Sequence, residues 1–143
     1  CGLFLSKGVA GVRRGKVVAL YNLLDLKRTI WEGPQLKPGK HTIVFDDEVD
    51  EPGLGKSGTG VLNVDGKQVD RKSMEHATPI TFAEDETFDV GMDTRTGVAL
   101  LEYRYDPPFE FTGTIDSLRF KLFPQPAAQA DAGAVRTAAG ASR

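Results

Sequence analysis

The feature that most constrains the fold is the dipeptide Asp65-Gly66, which lies between two strand-like runs. "TGVLNV" (59–64) precedes it and "KQV" (67–69) follows it. A two-residue hairpin turn of type I′ needs a positive φ angle at both central residues, and Asp-Gly meets that need. The dipeptide therefore predicts that the two runs pair as antiparallel strands.

Most of the chain repeats this pattern of short apolar runs separated by turns. The other strand-like runs are "KVVALYNLL" (16–24), "HTIVF" (41–45), "PITF" (79–82), "TFDV" (87–90) and "FEFTGTIDSLRFKLF" (109–123). Glycine and proline gather between them, as in "GPQLKPG" (33–39) and "EPGLGKSGTG" (51–60). No long segment has the 3.6-residue period of a helix. The pattern predicts an all-β fold, either an antiparallel β-sandwich or a sheet closed on itself.

The last apolar run changes parity along its length. Its large apolar residues are odd-numbered at Phe109, Phe111 and Ile115 and even-numbered at Leu118, Phe120 and Leu122. Successive side chains of a strand point to opposite faces, so one continuous strand cannot bury both sets on the same face. We expect a β-bulge or kink near Asp116-Ser117, because one extra residue reverses the register.

Size and charge bound the class of protein. The 143 residues fit one domain, and the net charge of −2 gives no basic footprint for nucleic acid. The basic cluster at Arg13, Arg14 and Lys16 is too small to change that. No apolar run approaches the roughly 20 residues of a membrane helix. The sequence therefore predicts neither a nucleic-acid nor a membrane partner.

The two ends of the chain suggest its organisation. Aromatic residues stop at Phe123, and alanine, glycine and glutamine dominate afterwards. This composition predicts a β-sandwich domain over 1–123 and a disordered, flexible tail over 124–143. Cys1 is the single cysteine, so no internal disulfide is expected. Because the chain starts at that cysteine without a methionine, we expect it to be a fragment of a longer protein.

Five segments, taken in order, resemble one region of a known family. They are "YNLL" (21–24), "PGKHTIVFDDEVD" (38–50), "GLGKSGTGVLNVDGKQV" (53–69), "DETFDVGMDT" (85–94) and "FEFTGTIDSLRFKL" (109–122). Together they resemble the C-terminal β-sandwich of large bacterial arylsulfatases. The ending "FTGTIDSLRFKL" is also similar to the final strand of concanavalin-like and laminin-G-like sandwiches. The resemblance covers most of 1–123 and implies a jelly-roll sandwich.

The same resemblance implies a role without catalysis. Arylsulfatases hydrolyse sulfate esters in an N-terminal α/β domain, with a calcium ion and a formylglycine made from the cysteine of a Cys-x-Pro-x-Arg motif. Here Cys1 is followed by Gly-Leu-Phe-Leu, so no catalytic residue carries over. The implied function is that of an accessory domain of a sulfuric-ester hydrolase. Its implied partner is the sulfatase catalytic domain or a second copy in a homo-oligomer.

The acidic stretch "DETFDVGMDTRTG" (85–97) has three interpretations. Its carboxylates are Asp85, Glu86, Asp89 and Asp93. Calcium takes six to eight oxygens, and Asp89 and Asp93 are the candidate ligands for a structural calcium of the kind that concanavalin-like sandwiches often hold. Glu86 and Asp89 are the candidate pair for glycoside hydrolysis, although three positions along a strand would point them apart. We favour a structural loop, with a turn at Gly91 and an Asx-turn made by Asp93.

Aromatic residues offer a different function, a free-standing carbohydrate-binding module. Trp31, Tyr103 and Tyr105 are the candidate sugar-stacking residues, because each has a flat apolar face with a polar tip. Core or interface packing is the favoured interpretation for this set. His41 and His76 lack the spacing of a zinc site, and no Gly-x-Ser-x-Gly elbow is present.

Overall fold

The structure, a computed structural model, describes residues 2–6, 15–23, 26–51, 53, 55–77, 89–94 and 108–123. In these residues all regular secondary structure is β-strand, and every strand pairing is antiparallel. The all-β prediction is therefore confirmed for the described part of the chain. No helix found there is long and apolar enough to cross a membrane. The predicted tail at 124–143 and the predicted strand at 79–82 lie outside the described residues.

The first sheet contains β1 (Gly2–Ser6), β2 (Lys16–Leu23) and β3 (Lys27–Gln35), in that order across the sheet. The run predicted at 16–24 is therefore a strand over its described residues, 16–23. Val18 and Leu20 are buried together with Val17, Ala19 and Tyr21, so β2 is buried on both faces, as a continuous apolar run indicates.

Proline lies inside β3, where a central strand would not tolerate it. Lys16 is opposite Gln35, but Val18 is opposite Glu32, so one residue of β2 faces the two residues Gly33-Pro34. A bulge on an edge strand tolerates proline because its missing N–H interrupts no ladder. The connection predicted at 33–39 therefore starts three residues late, after Gln35.

The second sheet contains β4 (Ile43–Val49), β5 (Gly58–Val64) and β6 (Lys67–Met74), also in that order. The turn between β5 and β6 has φ angles of 51° at Asp65 and 77° at Gly66. These two positive angles are those of a type I′ hairpin. The hairpin prediction is confirmed, and β6 continues beyond the predicted run at 67–69.

A one-residue bulge divides β6. Leu62 is opposite Asp70, whereas Asn63 is opposite Gln68, which leaves Val69 without a counterpart on β5. One extra residue reverses the alternation of faces along a strand. This explains why Val69 packs against the core and Met74, five positions later, is buried in it.

One hydrophobic core joins the two sheets. Its buried members are Val17, Ala19 and Tyr21 from β2, Trp31 from β3, Leu62 and Val64 from β5, and Met74 from β6. Leu23, Leu36, Ile43, Phe45 and Val69 pack against it from its margin. The odd-numbered residues of β2 and the even-numbered residues of β5 therefore point at each other, as in two layers that share a core.

A short third pairing connects β7 (Met92–Asp93) and β8 (Phe109–Glu110). Residues 111–123 form no strand, so the long strand predicted at 109–123 is limited to its first two residues. The bulge expected at Asp116-Ser117 does not arise, because there is no ladder for it to interrupt. The physical reason is that a strand needs a partner, and β7 is only two residues long. Residues 89 and 90, from the strand predicted at 87–90, are also not strand.

Candidate functional site: a basic groove between two sheet edges

Trp31 is the centre of the core and carries no exposed ring face. Its side chain is fully buried, and its Nε1–H donates to the carbonyl of Gly60 at 2.8 Å. The ring of Phe45 meets the indole edge to face, with centroids 4.9 Å apart. A sugar has no face of this indole to stack on, which agrees with core packing. Tyr103 and Tyr105, the other predicted stacking residues, lie outside the described residues.

Two side chains of β6 bridge the edges of the two sheets next to Trp31. The carboxylate of Asp70 accepts from the backbone N–H of Glu32 at 2.9 Å, and the ammonium of Lys72 donates to the carbonyl of Ile30. Ile30 and Glu32 share parity on β3, so both backbone groups point toward β6. The two side chains thus satisfy backbone groups of an edge strand that would otherwise invite pairing with another chain.

A shallow groove of about 610 Å³ opens beside this bridge. The residues that line it are Lys27, Arg28, Thr29 and Ile30 from β3 and Arg71, Lys72 and Ser73 from β6. Four of the seven carry positive charge and none carries negative charge. A protein with a net charge of −2 therefore concentrates cations where its two sheets meet.

Two of these cations are paired with carboxylates at the margin of the groove. Lys27 lies 3.0 Å from Glu75, and Lys72 lies 3.2 Å from Asp70. Partial burial raises the pKa of Asp70, but the N–H of Glu32 and the ammonium of Lys72 outweigh it and leave that pKa below 3.8. The hydrogen bond from Lys27 likewise lowers the pKa of Glu75. Both carboxylates are therefore ionised at neutral pH.

Arg71 distinguishes the groove from an ordinary set of surface ion pairs. Within the described part of the chain its guanidinium makes no hydrogen bond or ion pair. Lys27 and Lys72 have carboxylate partners at the margin of the groove, whereas the guanidinium of Arg71 is open to a ligand. A guanidinium has five donors and no acceptor, so it is suited to bind an anion.

The acidic loop at 89–94 is closed by Asp89. Its carboxylate accepts from the N–H of Thr94 at 3.2 Å and from the hydroxyl of Thr94 at 2.6 Å. Gly91 lies at a bend and has a φ angle of 78°, a left-handed conformation that glycine favours. Asp93 is part of β7, and the Asx-turn expected of it stays a prediction because residue 95, whose N–H would be the donor, lies outside the described residues. Glu86, the predicted catalytic partner of Asp89, lies outside the described residues.

The same loop was the predicted calcium site. In the described residues, no three or more His, Cys, Asp or Glu side chains are grouped closely enough to hold a metal ion. Asp89 and Asp93 alone offer four oxygens, fewer than the six to eight that calcium takes, and Asp89 already binds Thr94. Asp85 and Glu86 lie outside the described residues, so structural calcium stays a prediction.

His41 connects β4 to the Asp65-Gly66 turn. Its Nδ1 lies 2.8 Å from the carboxylate of Asp65, and its Nε2 lies 2.8 Å from the carbonyl of Lys37. Both partners are acceptors, so only the protonated imidazolium can donate to both. The hydrogen bond to Asp65, and after it the bond to Lys37, raises the pKa of His41 above 6.5. Asp65 also accepts from the N–H of Thr42 at 2.9 Å, which makes this cluster a structural link.

The pair of His41 and Asp65 predicts a pH-dependent contribution to stability. Because folding raises the pKa of His41, the stability that its protonation contributes is complete below pH 6.5. That stability is lost as the pH rises through the folded-state pKa of His41. Because folding lowers the pKa of Asp65, the stability that its ionised carboxylate contributes is complete above pH 3.8. That stability is lost as the pH falls through the folded-state pKa of Asp65. We therefore expect the link to stabilise the fold most between about pH 4 and 6.5. NMR titration of the imidazole should show a midpoint above 6.5.

Asp65→Asn tests this pH dependence. Asparagine tolerates the left-handed φ angle and keeps an oxygen for the N–H of Thr42, but it removes the charge. We expect the variant to lower the pKa of His41 and to lose more stability at pH 5.5 than at pH 8.5. The control is Glu51→Gln, which removes one negative charge as Asp65→Asn does and breaks an exposed ion pair with Lys56. An imidazole midpoint at or below 6.5 in the unmodified protein contradicts the prediction.

Comparison of this chain with family models, with curated proteins and with solved structures finds no match. The functional argument therefore depends on the residues of the chain. Sequence reasoning considered only the cluster at Arg13, Arg14 and Lys16 and missed the cations of the groove. Their signal was two basic dipeptides, Lys27-Arg28 and Arg71-Lys72, in two separate strands.

Proposed function

We propose that this chain is a non-catalytic accessory domain of a bacterial arylsulfatase-like sulfuric-ester hydrolase, and that it packs on the catalytic domain. The observation that carries the proposal is a set of exposed apolar side chains near the end of the described residues. We call this set the apolar strip: Ile115, Leu118, Phe120, Leu122 and Phe123. Phe120 and Phe123 are each 69% exposed and Leu122 is 91% exposed.

The apolar strip has the character of a contact surface. Fully burying one large apolar side chain contributes about 1.5–3 kcal/mol, so covering the exposed area of the apolar strip would favour docking. Contiguous exposed apolar patches mark interaction sites in soluble proteins. Two contacts of this segment lie at its surface: Asp116 pairs with the exposed Lys40 at 2.8 Å, and the ammonium of Lys121 lies 4.6 Å from the ring centroid of Phe123.

The alternation within the apolar strip favours docking as a strand. Leu118, Phe120 and Leu122 share parity, whereas Arg119 and Lys121 have the opposite parity. In an extended conformation these three apolar side chains would lie on one face, and the side chains of Arg119 and Lys121 would lie on the other. A partner that supplies a neighbouring strand would therefore pair the backbone and cover the apolar face together.

The shape of the proposed domain is an antiparallel β-sandwich of the jelly-roll, concanavalin-like type. The core that β2 and β3 share with β5 and β6 supports two stacked layers. The resemblance of the segments at 53–69 and 85–94 to the arylsulfatase C-terminal domain supplies the family, and the apolar strip supplies the docking surface. The proposal joins these three arguments.

The coding sequence upstream gives the first test. We expect a Cys-x-Pro-x-Arg motif in the same reading frame, and its absence contradicts the proposal. The purified chain, without that upstream domain, should hydrolyse no aryl sulfate. Turnover by the purified chain with an unmodified Cys1 also contradicts it.

A docking experiment tests the surface. The domain encoded upstream is produced separately, and its affinity for this chain is measured by calorimetry. We expect the double variant Phe120→Ser, Leu122→Ser to weaken binding at least about tenfold, because both side chains are buried on docking. Arg119→Ser, of opposite parity on the same segment, is the matched control and should change binding little. Equal effects of the two variants contradict docking through the apolar strip. Sedimentation that shows dimers of the chain alone, abolished by the double variant, assigns the apolar strip to a second copy.

A free-standing carbohydrate-binding module is the second candidate. The open groove favours it, because binding sites are concave and this one has polar and charged groups along its length. Trp31 does not supply the stacking platform, so Tyr103 and Tyr105 are the proposed platform residues. Glycan-array binding that is lost in Tyr103→Ala supports this candidate, and an array without binding contradicts it.

A further inference from the structure

We propose that the groove between β3 and β6 binds a tetrahedral oxyanion, a sulfate or phosphate group carried on a small ligand. This function is independent of docking through the apolar strip, which lies on a different segment. The proposal follows from the charge of the groove, from its hydrogen-bond donors and from its open shape.

Charge selects an anion. Four of the seven lining residues are cationic and none is acidic. Among the described residues the guanidinium of Arg71 makes no hydrogen bond or ion pair, so its donors are open to a ligand. Like charges held close together repel, and a bound anion would offset that repulsion.

The kinds of hydrogen-bond donor that line the groove favour a tetrahedral anion over a carboxylate. The guanidinium of Arg71 offers a planar pair of donors, a geometry that matches two oxygens of one anion. Thr29 and Ser73 line the same groove and each adds a hydroxyl donor. A sulfate or phosphate ester has three terminal oxygens and engages both kinds of donor, whereas a carboxylate has two oxygens in one plane.

The site is held in place before a ligand arrives. The ammonium of Lys72 is fixed by the carbonyl of Ile30 and by the carboxylate of Asp70, and Asp70 is itself held by the N–H of Glu32. A charge that is already positioned loses little side-chain entropy on binding. The groove is open to solvent, so the group that carries the ester would extend outward and stay mostly exposed.

A titration with defined anions tests the site. The ¹⁵N-labelled chain is titrated with sodium sulfate, sodium phosphate, phenyl sulfate, phenyl phosphate and sodium acetate at one fixed ionic strength. We expect saturable shifts at Thr29, Arg71 and Ser73 with a sulfate or a phosphate, and binding of acetate at least about tenfold weaker. The tighter of the two phenyl esters identifies the ligand class. Acetate that binds as tightly as both tetrahedral anions overturns the proposal.

Two variants with the same change of charge distinguish a specific anion site from general electrostatic attraction. Arg71→Gln should weaken binding about tenfold or more, because it removes the planar pair of charged donors. Lys67→Gln removes the same charge from an exposed position of β6 that does not line the groove, and it should change binding less than about twofold. Arg71 is exposed, so the variant keeps the fold, which the unchanged spectrum of the core residues verifies. Equal losses in the two variants show nonspecific screening and overturn the proposal.

Discussion

Trp31→Ala should destabilise the protein by about 3–5 kcal/mol, the range for removing a large aromatic side chain from a core. The indole is fully buried, and residues of both sheets surround it in the shared core. Its loss leaves a cavity between the sheets and removes the hydrogen bond to the carbonyl of Gly60. The free energy of unfolding, measured by urea denaturation, gives the effect.

Trp31→Phe separates packing from hydrogen bonding at the same position. Phenylalanine keeps much of the ring volume but donates no hydrogen bond to Gly60, so we expect a loss of about 1–3 kcal/mol. Val44→Ala, on a half-exposed position of β4, is the control and should change stability by less than about 1 kcal/mol. A loss below about 1 kcal/mol in Trp31→Ala contradicts a core centred on this residue.

Gly60→Ala should destabilise the protein by about 1–3 kcal/mol or more through overpacking. A Cβ at this position would lie 2.4 Å from Cζ2 of Trp31 and 2.7 Å from Cζ of Phe45. Both rings are confined by the core, so neither yields without moving the other. Backbone entropy alone predicts the opposite sign, because alanine loses less conformational freedom than glycine on folding.

A double-mutant cycle isolates this contact. In Trp31→Ala the space for a methyl group at position 60 is open, so adding Gly60→Ala should cost little. We expect the double variant to lose less stability than the two single variants together, by about 0.5–3 kcal/mol. Additive losses, measured by the same urea denaturation, contradict direct contact between the indole and the backbone of Gly60.

Local chemistry made part of the fold predictable. The Asp65-Gly66 turn depends on the φ preferences of two adjacent residues, and those preferences do not depend on the rest of the chain. The apolar run of β2 is also visible locally. The limits of β3 and β4 were less predictable: Gly33-Pro34 continues β3 as a bulge, and β4 continues to Val49 through the exposed Asp46, Asp47 and Glu48.

The long strand predicted at 109–123 shows that the pattern of residues within a segment does not reveal whether the segment has a partner strand. Parity correctly identified two apolar sets in this segment, but a strand exists only where another strand satisfies its backbone. The strand-like runs at 79–82 and at 87–88 lie outside the described residues, and β7 pairs only two residues. The residues of the apolar strip are exposed, and they form the surface that we propose for docking.

The groove was not predictable from sequence for a different reason. Lys27-Arg28 and Arg71-Lys72 are distant in the chain, and they meet only because β3 and β6 are the facing edges of two sheets. The bulge at Val69 sets which residues of β6 face β3, so a shift of one residue would move Asp70 and Lys72 away. Net charge averages over the whole chain and hides such a local cluster.

The indole Nε1 proton of Trp31 gives the sharpest test of a core shared by the two sheets, on which the groove and both stability predictions depend. Its exchange with solvent and its nuclear Overhauser effects are measured in one labelled sample. We expect slow exchange, with Overhauser contacts to the backbone of Gly60 and the ring of Phe45. Fast exchange with no contact to either residue would show that the sheets do not pack on each other around Trp31.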